Sequence, residues 1–162
     1  MFRSMKKLLP VMLAALLLCS PVSGQAQDDS PTVDDLSVDM IQSAENVTLE
    51  DFLWIKRPVV VFADSPADPR YVQQMQFLMS ELNALDVRDV VIITDTDPSA
   101  RSSFRQALRP RGFMLAIIDK DGGVKQRKPL PWSVREITRA IDKMPTRQQE
   151  IKDNTDGLPR GW

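Results

Sequence analysis

Histidine is absent from this chain, and cysteine occurs once, at position 19. Without imidazole there is no side chain that ordinarily titrates near neutral pH, and no ready general base. Cys19 lies in an amino-terminal apolar stretch. If that stretch is removed on export, the remaining chain cannot form a disulfide, attack as a thiolate or build a Cys/His metal site. Aromatic residues are sparse, at 6%, and are not interleaved with the basic residues, which argues against a nucleic-acid surface. No internal repeat is present. The core must therefore hold by packing alone.

Residues 1–24 have the three-part layout of an export signal. Arg3, Lys6 and Lys7 form a positive n-region, Leu8 to Cys19 is an apolar run broken only by Pro10, and small residues follow from Ser20 to Ala26. The run is short for a bilayer span. Cleavage after Gly24 or after Ala26 both suit the small-residue rule and leave no stable membrane span. Lipidation at Cys19 is the alternative, but Leu18 stands where a small residue is expected. The expected location is periplasmic or secreted.

Charge is unevenly placed. Removing Arg3, Lys6 and Lys7 lowers Lys+Arg from 21 to 18 against 22 acids, a net charge of about −4. From Gln25 to Ile55 there are eight acids and no basic residue; from Arg101 to Arg135 there are nine basic residues and only Asp119 and Asp121 as acids. The two regions could pair within the molecule, or the basic half could meet an anionic partner. Residues 25–46 are polar and acidic with little periodicity and read as a flexible leader. Residues 47–151 are long enough for one modest core, and residues 152–162 read as a disordered tail.

Within 47–151 the pattern alternates. Thr48 with Asp51 caps a short helix, with Val47 stapled on Phe52. Pro58 to Ala63 and Val90 to Thr94 are continuous β-branched runs, as expected of strands buried on both faces. Asp68-Pro69 opens a helix whose apolar stripe is Val72, Met75, Leu78/Met79, Leu82 and Leu85. Asp97-Pro98 repeats the device and starts a helix carrying Ala100, Phe104 and Leu108. Phe113 to Ile118 is a third strand, turned by Asp119-Lys120-Asp121-Gly122-Gly123 into a fourth at Val124 to Arg127. Asp119 to Gly122 also resembles the start of a calcium loop, but the later ligands are missing and the turn explains it. Ser133 with Glu136 is a capping box stapled by Trp132 and Ile137, and a helix with Val134, Ile137, Ile141 and Met144 follows. Trp54 and Trp132 read as core or staple residues. The order β–α–β–α–β–β–α specifies a mixed four-stranded sheet with helices on both faces, the thioredoxin architecture.

The stretches Arg57-Pro58-Val59-Val60-Val61-Phe62-Ala63-Asp64-Ser65, Leu108-Arg109-Pro110-Arg111-Gly112-Phe113-Met114 and Asp119-Lys120-Asp121-Gly122-Gly123-Val124 resemble an exported family catalogued as domain of unknown function 4174, regarded as thioredoxin- or peroxiredoxin-like. The resemblance covers about Leu49 to Ile151 and brings no established activity. Relatives occur in bacterial secreted proteins and in some vertebrate extracellular-matrix proteins. Where working thioredoxins carry a dithiol, at the junction of first strand and following helix, this chain has Asp64-Ser65-Pro66-Ala67-Asp68. In place of their proline before the third strand it has Gly112 or Phe113. Arg111 is similar to an arginine that peroxiredoxins place near peroxide, although the local spacing differs.

The architecture gathers three loops at one end of the sheet, giving a candidate binding site of Asp64, Ser65, Asp68, Asp95, Arg109, Arg111 and Phe113, with Arg70 and Asp97 nearby. Carboxylates and guanidiniums beside helix starts could hold a small polar ligand or a peptide end. The plainer reading makes Asp68 and Asp97 helix caps and the arginines counterions of Asp64 and Asp95. Ser65 lacks a histidine base, and Lys128 is its one conceivable substitute. No cofactor or metal is implied. The expected role is a non-catalytic binding or scaffold module of the cell envelope, with an envelope protein or acidic peptide as partner. A carboxylate-dependent hydrolase using Asp64, Asp68 or Asp95 is the alternative, and a purely structural domain the third. The sequence leaves the oligomeric state open.

Overall fold

A computed structural model describes residues 39–156. The expected export signal with Cys19, the expected leader through Val38 and the last six residues lie outside the described residues.

Ten elements follow in order: strand β1 Ile41–Ser43, β2 Arg57–Phe62, helix α1 Pro69–Ser80, α2 Leu82–Asp86, β3 Val90–Asp95, α3 Ser103–Leu108, β4 Met114–Ile118, β5 Val124–Lys128, α4 Val134–Ile141 and α5 Pro145–Asp156. The sheet order is β1-β3-β2-β4-β5. β2 and β3 are parallel neighbours, with Val59 opposite Ile92, and β4 returns antiparallel on the other side of β2. This is the expected thioredoxin-like arrangement, with one strand more than four.

The extra strand is β1. It pairs parallel to β3, Ile41 opposite Ile92, within residues that the sequence assigns to a flexible leader. Its flanks Met40 and Ala44 are buried, so the ordered fold starts before Val47. At the other end, α5 continues through Asp156, past the expected limit of order at Ile151.

Strand alternation divides the core in two. Val59, Val61, Ile92, Leu115 and Ile117 face Leu78, Leu82, Leu85, Val134, Ile137 and Ile141. Val60, Phe62, Ile93, Ala116 and Ile118 face Phe52, Phe104 and Leu108. Period-two side-chain direction lets one apolar run supply both layers.

Several local expectations change. The first helix breaks at Glu81 (φ −141°) into α1 and α2. Val72 and Met79 are exposed, whereas Gln74 is fully buried. Gln74 donates to Trp132 O (2.9 Å) and accepts from Trp132 N–H (2.8 Å), so a polar side chain tethers the loop before α4. Asp97-Pro98 starts only a single 3-10 turn, because Arg101 turns left-handed (φ 49°); α3 is capped instead by Ser102, which accepts from Arg105 N–H. Trp54 is not core: it is 70% exposed. The β4–β5 turn requires Gly122, whose φ is +78° and whose added Cβ would meet Leu53 at 2.9 Å.

Candidate functional site

The C-terminal ends of β2 and β3 hold Asp64 and Asp95, and α3 lays Arg105 across both. Asp95 is buried. Arg105 donates to Asp95 Oδ1 through Nε (3.0 Å) and Nη2 (2.7 Å), and Nη2 also reaches Ala63 O at 2.8 Å. Ser102 donates its hydroxyl to Asp95 Oδ2. Nη1 of Arg105 lies 3.5 Å from Asp64, and the guanidinium sits 5.6 Å from the centroid of the Phe62 ring. Both Asp95 oxygens are thus occupied by charge-assisted or hydroxyl donors, which makes Asp95 a brace between strand ends and α3 rather than a free base. Arg105 was not among the residues singled out from sequence. It lies ten positions from its partner, and the more conspicuous Asp97-Pro98 pair drew the helix start away from Ser102.

Around α1 the acids are also engaged. Asp68 caps the helix by accepting from Arg70 N–H (2.8 Å) and pairs with Arg70 Nη2 at 2.9 Å. The Arg70 side-chain hydrogen bond, followed by its backbone N–H, holds the Asp68 carboxyl below the usual range. Arg70 stacks 5.5 Å from the Phe113 ring. Gly112 (φ +66°) brings the loop before β4 close to both Arg70 and Asp64, 3.9 Å from where its Cβ would stand. Ser65 is exposed and its hydroxyl accepts from Ala67 N–H (3.2 Å). Lys128 is positioned over the Trp132 ring at 4.2 Å. Asp97 accepts from Ser99 N–H and hydroxyl within its turn.

The predicted cluster therefore divides. Asp64, Asp68 and Asp95 are gathered by Arg70 and Arg105. Arg109 and Arg111 open on a different groove of about 260 Å³, shared with Phe113, Met114, Arg127, Lys128 and Pro129. Arg109 ends α3 in the left-handed region (φ 49°), which turns the chain toward Pro110. Arg127 donates to Leu108 O at 3.2 Å, fixing its stem beside the groove. Among the described residues, no carboxylate comes within 4.0 Å of Arg109, Arg111, Arg127 or Lys128. The groove presents four cations and no paired acid, a lining suited to carboxylates. Arg127 and Lys128 belong to β5, so the groove is built by the end of α3 and the last strand together.

Residues 48–150 match the family described as a domain of unknown function (DUF4174). The chain belongs to that family. Among solved structures it is similar to the reduced 2-Cys peroxiredoxin of Plasmodium vivax, at 17% identity and a TM-score of 0.52, covering 65% of this chain and 85% of that one. It is also similar to Plasmodium yoelii Prx1a, at 19% identity and a TM-score of 0.48, covering 72% and 86%. At these identities the likeness to the first establishes the thioredoxin-like fold and nothing about chemistry. No curated protein matches the chain in sequence.

Proposed function

We propose that this DUF4174 domain is a non-catalytic binding module of the cell envelope, and that its ligand is an acidic, carboxylate-bearing segment of a partner protein. The observation that carries this reading is the groove of Arg109, Arg111, Arg127 and Lys128, cationic and without a carboxylate partner among the described residues. Guanidinium forks match carboxylates in two-point geometry, and clustered like charge draws an oppositely charged partner. The acids outside this groove support the non-catalytic part, since Asp68 and Asp95 serve as cap and brace. The export-signal layout of the amino terminus supports the envelope location.

The test is capture of a partner from a periplasmic extract by the purified protein. Arg109→Glu combined with Arg111→Glu should reduce capture at least about tenfold, as should raising salt to about 0.5 M. The acidic leader would compete for the same groove, so removing residues 25–38 should strengthen capture. Insulin reduction and peroxide consumption should stay at the buffer level. Capture indifferent to the charge reversal, or hydrolytic turnover that Asp64→Asn abolishes, would overturn the proposal.

A further inference from the structure

β5 is an edge strand: the order β1-β3-β2-β4-β5 gives it β4 on one side and no strand on the other among the described residues. An edge of this kind presents outward N–H and C=O groups that another chain can pair with. Two cavities flank it. On the Phe104 face, Leu49, Phe104, Leu108, Ile118, Val124 and Arg127 surround about 280 Å³. That size holds one large apolar side chain rather than a whole drug-sized ligand. On the α4 face, about 460 Å³ is bordered by Lys125, Trp132, Glu136, Arg139, Lys143 and Met144, with the Glu136 carboxylate already engaged by Ser133. Arg127 borders both the Phe104 cavity and the cationic groove.

We infer that β5 accepts an extended segment of a partner protein as a sixth strand, one that alternates apolar and acidic side chains. This rests on the reading of the domain as a binding module and specifies how the partner docks. Successive side chains of a strand point to opposite faces. An added strand would thus place apolar groups in the Phe104 cavity and carboxylates toward Arg139 and Lys143. Charge selects the occupant. Lys125 is held by Asp121 at 2.9 Å, but Arg127 and Lys128 have no such partner among the described residues. Two β5 edges meeting would oppose like charges, which disfavours a second copy and favours an acidic strand. The register irregularity opposite Ile117/Ile118 confines regular pairing to the Gln126–Lys128 stretch, so the docked segment is short.

The experiment titrates the purified chain with a short synthetic peptide alternating glutamate and leucine, and with the same peptide N-methylated at alternate backbone nitrogens. Affinity is read by fluorescence anisotropy, and amide exchange is followed along β5. Binding of the plain peptide should slow exchange at Gln126–Lys128 amides about tenfold or more. N-methylation on the pairing edge should weaken binding about tenfold, as should Arg127→Glu with Lys128→Glu, both at exposed or half-exposed positions. Equal binding of plain and methylated peptides, lost in Arg109→Glu with Arg111→Glu, would overturn strand addition and leave the binding-module reading standing. Binding by neither peptide would overturn both. Binding seen only after residues before Asp39 are removed would overturn the partner as occupant and assign the edge to the chain's own leader.

Discussion

Trp54 occupies a position its side chain does not suit. Its φ is +63°, a region that costs a bulky residue about 1 kcal/mol or more, and its indole is exposed, so burial does not offset that cost. Its backbone N–H donates to Lys120 O at 2.8 Å, which any non-proline residue would keep. Trp54→Gly should therefore raise stability by roughly 0.5–1 kcal/mol, or about 2–6 °C in Tm. Trp54→Ala, which keeps the Cβ, should give no such gain in a thermal melt. Equal behaviour of the two variants would show that the left-handed backbone at this position costs a Cβ-bearing residue nothing. Asp95 makes the opposite point: a carboxylate that reads from sequence as a candidate ligand is consumed by Ser102 and Arg105.

At the level of elements, what the sequence made legible was whatever has a strong local signal. The β-branched runs of β2 and β3, the Asp68-Pro69 start and the Ser133–Glu136 capping box all stand where their residues indicate. In the box, Ser133 N–H donates to Glu136 Oε2 at 2.8 Å. What was missed depends on distant contacts. β1 is three residues long with a single apolar side chain, too short for alternation to register, and it exists because β3 offers an edge. Gln74 is buried because Trp132, far along the chain, answers both its amide atoms. The candidate site was legible as a set of charged loops but not in its division into an acid cluster and a cationic groove, since Arg105 and Arg127 act through tertiary approach. β1 also yields an expectation for truncation. A chain beginning at Asp39 keeps β1 and its flanks, whereas a chain beginning at Val47 loses Met40, Ala44 and the ladder to β3. That second truncation should cost about 3 kcal/mol or more in denaturant unfolding. Equal stability of the two would mean that β1 contributes nothing to the fold.

Across the whole molecule, the end of the sheet opposite the candidate site is tied by a polar cluster. Arg57, the first residue of β2 and fully buried, donates through Nε to Asp119 (3.1 Å) and through Nη2 to Thr146 (2.9 Å) and Glu150 (2.8 Å). Lys120 bridges Asp89 and Glu150 at 2.7 and 2.9 Å. The α5 helix has little apolar surface to bury and is anchored largely by these contacts. Burial pushes the Glu150 carboxyl upward, but hydrogen bonds from Arg57, Lys120 and Arg147 outweigh it and lower it from 4.5 to about 2. A carboxyl lowered on folding stabilises fully above its unfolded value; that contribution is lost as pH falls from about 4.5 through about 2. The Glu150 side chain is 25% exposed, so solvent screening trims its contribution to roughly 1–3 kcal/mol. Glu150→Gln should cost about that much in denaturant unfolding at pH 7, and the gap from the parent should close by about pH 2, where the parent has itself protonated. Far-ultraviolet dichroism should show α5 melting with it. A deficit that persists unchanged at low pH would mean that the shape of the side chain, rather than its charge, holds the helix.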